Sequence, residues 1–284
     1  MQTSTKVIDP MRFGSLFAGI GGFDLGLERA GMVCSWQVEI NKFCIQVLKK
    51  HWPNVRRMED VRIFPPKPRR EWQVDLIVGG FPCQDISLAG KGEGLKGKDS
   101  SLWKEFVRVV CLLRPTYAVM ENTANLHNKG LPSILGEMAE LGYDAEWAVL
   151  PATAVGAPHI RPRQFIVAHT NRERSNRVYE WEQKRCLAAN PVICCKNVPD
   201  RTPTENPSGI FAKVLPWCEN SSAQVGVGQW GIEPQVGRVV DGVSSRVVRP
   251  QYSALGNAVV PQLAEFIGRA IVERHSQVME SNRL

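Results

Sequence analysis

From Phe13 to about His169, short apolar runs alternate with longer stretches in which apolar residues return every third or fourth position. Strands of a parallel sheet and the helices that cover it produce this pattern. Arg12-Phe13-Gly14-Ser15-Leu16-Phe17 predicts a first strand, followed by a turn, Ala18-Gly19-Ile20-Gly21-Gly22, and a helix carrying Phe23, Leu25, Leu27 and Ala30. Gly31 stops that helix, because glycine accepts the left-handed conformation just past a helix end. Residues 33–38 predict a second strand. Asn41 stands where it caps a helix running to His51, which Pro53 closes. Further strands are predicted over 74–78, 117–120, 147–150 and 164–168, with helices over 102–113 and 132–141.

From about Thr170 to Pro250 the periodicity dissolves into polar, proline- and glycine-punctuated sequence, with Trp181, Trp217 and Trp230 interleaved among arginines and lysines. This predicts a separate, loop-rich lobe. Leu255-Gly256-Asn257-Ala258-Val259-Val260-Pro261 then leads into a helix with Leu263, Phe266, Ile267, Ala270 and Ile271 on one apolar face. That face needs a partner, and the first domain is the available one. The expected architecture is α/β: a doubly wound, mostly parallel sheet over 1–169, a small lobe over 170–249, and a segment over 250–284 packing back on the first domain.

Charge and cysteine usage narrow the picture. The 284 residues carry a formal net charge of +7, which favours a polyanionic partner, since lysines and arginines gain by replacing counterions along phosphates. The eight cysteines have no repeating spacing and no signal-like segment precedes them, so a reducing, cytoplasmic setting is expected. Without an apolar run near the roughly 20 residues of a membrane span, no membrane partner is expected. No cysteine or histidine pairs stand at zinc-finger spacing, so no metal is expected.

The glycine turn after the first strand lets backbone approach a ligand, and Glu39, at the end of the second strand, lies where doubly wound folds bind ribose hydroxyls. Asp24 breaks the dinucleotide fingerprint, which leaves a nucleoside-like cofactor or an ordinary tight turn. Gly79-Gly80-Phe81-Pro82-Cys83-Gln84 follows an apolar strand and puts Cys83 in a turn at the same sheet edge. There its thiolate would be a strong nucleophile; the competing reading is a small buried hydrophobe. Gly90, Gly92, Gly94 and Gly97 alternate with Lys91, Lys96 and Lys98, giving either a cationic loop that closes over a phosphate backbone or a solvated surface loop. Glu121-Asn122 directly follows a predicted strand. Arg161 and Arg163, two apart in an extended segment, would point the same way, into a cleft or along the surface.

In chain order these segments resemble the cytosine-5 DNA methyltransferase family. Phe17-Ala18-Gly19-Ile20-Gly21-Gly22 is similar to its cofactor turn, Pro82-Cys83-Gln84 to its nucleophile motif and Glu121-Asn122 to its base-binding motif. Arg161-Pro162-Arg163 is similar to its Q-x-R-x-R motif, and Gly256-Asn257-Ala258-Val259-Val260 to its closing motif. Short motifs are weak singly; their order makes coincidence remote. Two positions depart from the family pattern: Ser15, where members carry an acidic residue, and His159, the first position of Q-x-R-x-R. The segment in the place of the target recognition domain, about 170–249, is also short.

The resemblance implies the fold of the S-adenosylmethionine-dependent methyltransferases, with a mixed sheet, and a chain that methylates C5 of a flipped-out cytosine in duplex DNA. Cys83 would add at C6, Glu121 would sit near N3, Arg163 would donate to O2, and Arg161 would hold the site together or reach the backbone. On the cofactor side it implies the turn Ala18, Gly19, Gly21 and Gly22, with Phe17 by the adenine or methionine, Glu39 on the ribose and Ile40 beside the ring. Asp60 and Val61 would meet the adenine edge and Leu102 its face, while Asn257, Ala258 and Val259 would lie at the methionine end, and Pro82 would be a further cofactor contact. Gln84 and Ser87 would contact DNA. A monomer and a companion restriction endonuclease are further expectations. The rival readings are a cytosine-5 RNA methyltransferase, a DNA-binding relative with little activity, a thiol redox enzyme, disfavoured because Cys83 lacks a C-x-x-C partner, and a nicotinamide dehydrogenase, disfavoured by Asp24.

Overall fold

A computed structural model describes residues 9–82, 101–170, 210 and 245–281. The strands are β1 (Arg12–Leu16), β2 (Val33–Val38), β3 (Arg56–Met58), β4 (Leu76–Gly80), β5 (Tyr117–Thr123), β6 (Tyr143–Leu150) and β7 (Arg163–Thr170). They form one sheet in the order β3-β2-β1-β4-β5-β7-β6. Pairing is parallel from β3 to β5, and β7 lies antiparallel between β5 and β6. The sheet is therefore mixed and mostly parallel.

Period-2 alternation divides the strand residues between two cores. Phe13, Leu76, Val78, Val119, Phe165 and Val167 face one, with Phe23 and Leu27 of α1 (Gly22–Arg29). Leu16, Ile77, Ala118, Met120, Ile166 and Ala168 face the other, against Phe106, Val107 and Val110 of α3 (Ser101–Leu113). Between these helices in the chain stands α2 (Lys42–His51), whose Asn41 side chain accepts from the backbone N–H of Phe43 at 2.9 Å and Cys44 at 3.3 Å. Beyond β5 come the short α4 (Leu126–Lys129) and α5 (Leu131–Glu140), the latter adding Ile134 and Met138 to the second core.

Two helices follow the region after β7: α6 (Ser245–Asn257) and α7 (Pro261–Ser281). Leu263, Ile267 and Ile271 of α7 complete the first core beside α1. The two helices approach closely because glycines face the contact. A methyl group on Gly22 would stand 2.3 Å from the Val259 carbonyl oxygen, and one on Gly26 2.3 Å from that of Pro261. This contact holds the start of α1, and with it the end of the glycine turn, against the segment that enters α7.

Elements differ from the sequence reading where polar residues occupy strands. Beyond the predicted 117–120, β5 runs on through Glu121, Asn122 and Thr123, which line the cavity, and β4 includes Gly79 and Gly80, because all five residues still pair with neighbouring strands. The edge strand β6 begins at Tyr143, four residues before the predicted start, and its half-exposed middle shows no clean alternation. The three residues of β3 include two arginines and pair only with β2. The interior Pro250 of α6 makes that segment read as loop rather than helix, although the helix begins at Ser245, inside the stretch assigned to the small lobe. Residues 171–209 and 211–244, with Trp181, Trp217 and Trp230, lie outside the described residues. No described helix is long and apolar enough to cross a membrane.

Ser15 has a counterpart within the fold. Its hydroxyl donates to Asp24 Oδ2 at 3.1 Å, and Gln37 Nε2 donates to Asp24 Oδ1 at 2.8 Å. A fully buried carboxyl thus lies beside Ser15, and burial raises the Asp24 pKa above the ordinary carboxylate value.

Gly26→Ala tests the α1–α7 contact. The gain in helix propensity, up to about 1 kcal/mol, should be outweighed by an overpacking penalty of about 1–3 kcal/mol. A lower Tm for the variant is the expected outcome, and an unchanged or raised Tm would show that the helices separate without cost.

Candidate active site

The chain leaves β1 towards β2 on one side, whereas β4 and β5 extend the sheet on the other, so the direction of winding switches between β1 and β4. Loops diverge at such a point and leave a crevice at the carboxyl ends of the parallel strands. A cavity of about 600 Å³ opens there. Phe17 and Gly19 after β1, Glu39, Ile40 and Asn41 after β2, and Glu59 to Arg62 after β3 line one part of it. Gly80 at the end of β4 with Phe81 and Pro82 after it, Glu121, Asn122 and Thr123 from β5, and Arg163 from β7 line another. Leu102 of α3 and Ser253, Ala254 and Asn257 of α6 complete the wall.

Glu39 joins two of these loops. One carboxylate oxygen accepts from Gly19 N–H at 2.7 Å, and the other accepts from Asn41 N–H at 2.7 Å. Asp60 accepts from the backbone N–H of Arg62 at 3.0 Å and pairs with its guanidinium at 2.9 Å, which holds the Asp60 carboxyl below its ordinary pKa. Arg108 of α3 then donates to the carbonyls of Val61 at 2.6 Å and Phe64 at 2.7 Å, tying the loop after β3 to the helix behind it.

The other part is built around a carboxylate that is 7% exposed. Glu121 Oε1 lies 3.0 Å from Arg163 Nε. On its other side is Gly80, where a methyl group would stand 2.7 Å from Glu121 Oε2, so a side chain there would displace the carboxylate. Burial pushes the Glu121 pKa up to about 7, with Arg163 and then Arg161 pulling against it. The group is therefore poised to carry or give up a proton near neutral pH. Asn122, on the opposite face of β5, donates to the Phe81 carbonyl at 3.1 Å and accepts from Thr123 N–H at 2.8 Å, binding the segment that leads into Pro82 to the end of β5.

Arg161 and Arg163 do not point the same way, contrary to the expectation of an extended segment. Strand β7 begins only at Arg163, and Arg161 has φ 34°, which turns the chain. The Arg161 guanidinium donates to the backbone carbonyls of Gly256 and, at 2.9 Å, Ala258. It thus anchors the α6–α7 connection and does not line the cavity. Of the residues singled out for the cofactor, Phe17, Gly19, Glu39, Ile40, Asp60, Val61, Pro82, Leu102 and Asn257 line the cavity. Ala18, Gly21, Gly22, Ala258 and Val259 do not line it, and Gly22 meets the Val259 backbone. Cys83, Gln84 and Ser87 lie outside the described residues, directly after Pro82.

Sequence reasoning missed Glu59, Arg62, Thr123, Ser253 and Ala254 as lining residues. Thr123 was within reach, because it follows Glu121 by two positions and so shares its face of the strand. The α6 residues carry no such signal, since only the packing of that helix brings them to the sheet.

A mostly parallel seven-stranded sheet with one antiparallel strand next to its edge, and a cavity over its winding switch, defines the α/β methyltransferase class. Within that class, the chain belongs to the C-5 cytosine-specific DNA methylase family, whose model matches residues 11–207. It is similar to the type II methyltransferase M.HgiCII of Herpetosiphon aurantiacus, at 35% identity over 55% of this chain and 36% of that protein. It is also similar to the type II methyltransferase M1.HphI of Haemophilus parahaemolyticus, at 37% identity over 54% of this chain and 44% of that protein. A mutant DNMT2 of Spodoptera frugiperda superposes on 57% of this chain and 50% of its own, at 22% identity and a TM-score of 0.48. The chain thus spans less than half the length of these two curated relatives.

The raised Glu121 pKa sets a direction for stability. Below the unfolded value of 4.5 the carboxyl is neutral in both states; as pH rises to about 7 the unfolded chain ionises first, and stability is lost. Glu121→Gln does not titrate, so its stability relative to wild type should improve by on the order of 2–3 kcal/mol between pH 4.5 and pH 7. Chemical denaturation across that range checks it; a pH-independent difference would mean that Glu121 titrates normally.

Proposed function

We propose that the chain is a DNA (cytosine-5-)-methyltransferase using S-adenosyl-L-methionine and duplex DNA. The observation that carries this reading is the Glu121–Arg163 pair, a protonatable carboxyl and a fixed donor 3.0 Å apart, in a cavity whose wall continues through Pro82 to the position before Cys83. Family membership and the names of the type II relatives support the same substrate class.

The residues present fit the cofactor. A volume of about 600 Å³ is within the usual range for a small-molecule site. Glu39 offers carboxylate lone pairs at the distance along the chain where ribose hydroxyls are bound in such folds, while Phe17, Ile40, Val61 and Leu102 supply apolar surface for a purine. S-adenosylmethionine, when bound, supplies a methyl group activated on a sulfonium.

Cytosine C5 becomes nucleophilic only after addition at C6, and Cys83 is the group assigned to that addition: its thiolate forms the S–C6 bond and moves the ring electrons towards C5. Glu121 holds a proton against N3 and Arg163 donates to O2, so the charge placed on the ring meets two fixed partners. After C5 has taken the methyl group, a base or water removes the C5 proton, and the C6–S bond breaks with its electron pair leaving on the Cys83 thiolate, which restores the aromatic ring. Because a stacked base cannot reach this cavity, the target must be extruded. Gln84 and Ser87, beside the nucleophile in the chain, are the proposed DNA contacts of this reading. Arg161 acts through the carbonyls it holds and is a positioning residue.

Residues 170–249 are the segment assigned to target recognition, and the companion endonuclease and monomeric state belong to the same reading. Incubation with labelled S-adenosylmethionine and either duplex DNA or tRNA, followed by bisulfite sequencing, should give 5-methylcytosine in DNA. Label confined to tRNA would overturn the DNA assignment in favour of the RNA enzyme. Cys83→Ser should reduce transfer by at least about 10³-fold while leaving cofactor affinity within about twofold. Retained turnover in that variant would remove Cys83 from the mechanism.

A further inference from the structure

Among the described residues, four buried side-chain atoms have no hydrogen-bond partner: Arg69 Nε, Thr123 Oγ1, Gln164 Oε1 and Gln262 Oε1. Only Thr123 lines the cavity. A buried hydroxyl without a partner is uncommon, because it has given up water and received nothing in return. At the wall of a binding site the missing partner is most simply a ligand atom.

The position of this hydroxyl narrows which ligand. Thr123 follows Glu121 by two residues in β5, so both side chains leave the same face of the sheet. It pairs in register with Arg163 across the β5–β7 ladder, while the Arg163 guanidinium reaches Glu121. The backbone around it is held by Asn122, whose side chain accepts from Thr123 N–H and donates to the Phe81 carbonyl. The hydroxyl therefore belongs to the Glu121–Arg163 part of the cavity. The loops after β1 and β2, where Glu39 bridges Gly19 and Asn41, are separate from it in the sheet order.

We infer that Thr123 is a further substrate-binding residue, whose Oγ1 hydrogen-bonds the extruded pyrimidine beside Arg163, at the 2-keto oxygen. This inference rests on the functional reading above. A donor at O2 strengthens as addition at C6 places negative charge on that oxygen, so Thr123 would act more on the chemical step than on DNA affinity. The hydroxyl proton is ordered by the carbonyl, and no proton is transferred.

Three versions of the chain test it: wild type, Thr123→Val, which keeps the shape and deletes the hydroxyl, and Thr123→Ser, which keeps the hydroxyl. Steady-state methylation of a duplex should show kcat reduced about 10- to 100-fold in T123V with KM for DNA within about threefold, and T123S within about threefold of wild type in both. Calorimetric affinity for S-adenosylmethionine should be the same in all three. Equal kcat in T123V and wild type would overturn the inference while leaving the functional reading intact. Equal loss in T123V and T123S, or weakened cofactor binding in T123V, would overturn it by assigning the hydroxyl to packing or to the cofactor. Absence of methyl transfer by the wild-type protein would remove the functional reading, and this inference with it.

Discussion

The site depends on one ion pair, its carboxylate buried, formed between two neighbouring antiparallel strands. Glu121 belongs to the last parallel strand, and Arg163 to the one strand that runs back against it. Had the sheet continued in parallel, the segment after β5 would present its other end here, and no arginine from position 163 would face the carboxylate. Burial disfavours the Glu121 charge more than the arginines favour it, and the balance leaves the carboxyl titrating at about 7. Such a pair is a poor source of stability, because desolvation offsets most of the attraction. Its value lies in a carboxyl whose protonation answers to whatever is placed against it.

The surroundings of that pair are arranged to keep it in place. Gly80 leaves room for the carboxylate, and Asn122 binds the end of β5 to the segment leading towards Pro82. Further away, Arg161 grips the carbonyls of Gly256 and Ala258, while Gly22 and Gly26 admit the backbone of Val259 and Pro261. Residues nearly a hundred positions apart in the chain are thereby held together. The C-terminal segment completes the first core through α7 and contributes Asn257 to the cavity, so its packing and its place in the site are one structural fact.

Much of this was legible in the order of residues. Alternating apolar runs announced the α/β sheet, glycine and asparagine marked the ends of α1 and the start of α2, and motif order pointed to the family before any contact was known. Loops after successive strands were correctly grouped at one edge because parallel strands bring their carboxyl ends together. Errors fell where a local rule met an exception. Polar residues at the end of β5 read as a loop, although they are paired strand residues whose side chains face the site. Spacing alone made Arg161 point with Arg163, whereas its positive φ turns the chain and it reaches backbone carbonyls, as the family resemblance had implied.

The sequence by itself determined which elements form and which chemical groups stand at strand ends, since both follow from short-range periodicity and from the spacing of a few residue types. Only the tertiary structure decided that Arg163 meets Glu121 while Arg161 meets backbone, that α6 walls the cavity, and that Thr123 is left with an unpartnered hydroxyl. These outcomes depend on the direction of one strand and on contacts between distant segments. No local pattern encodes them, because burial and pairing belong to the packed molecule as a whole.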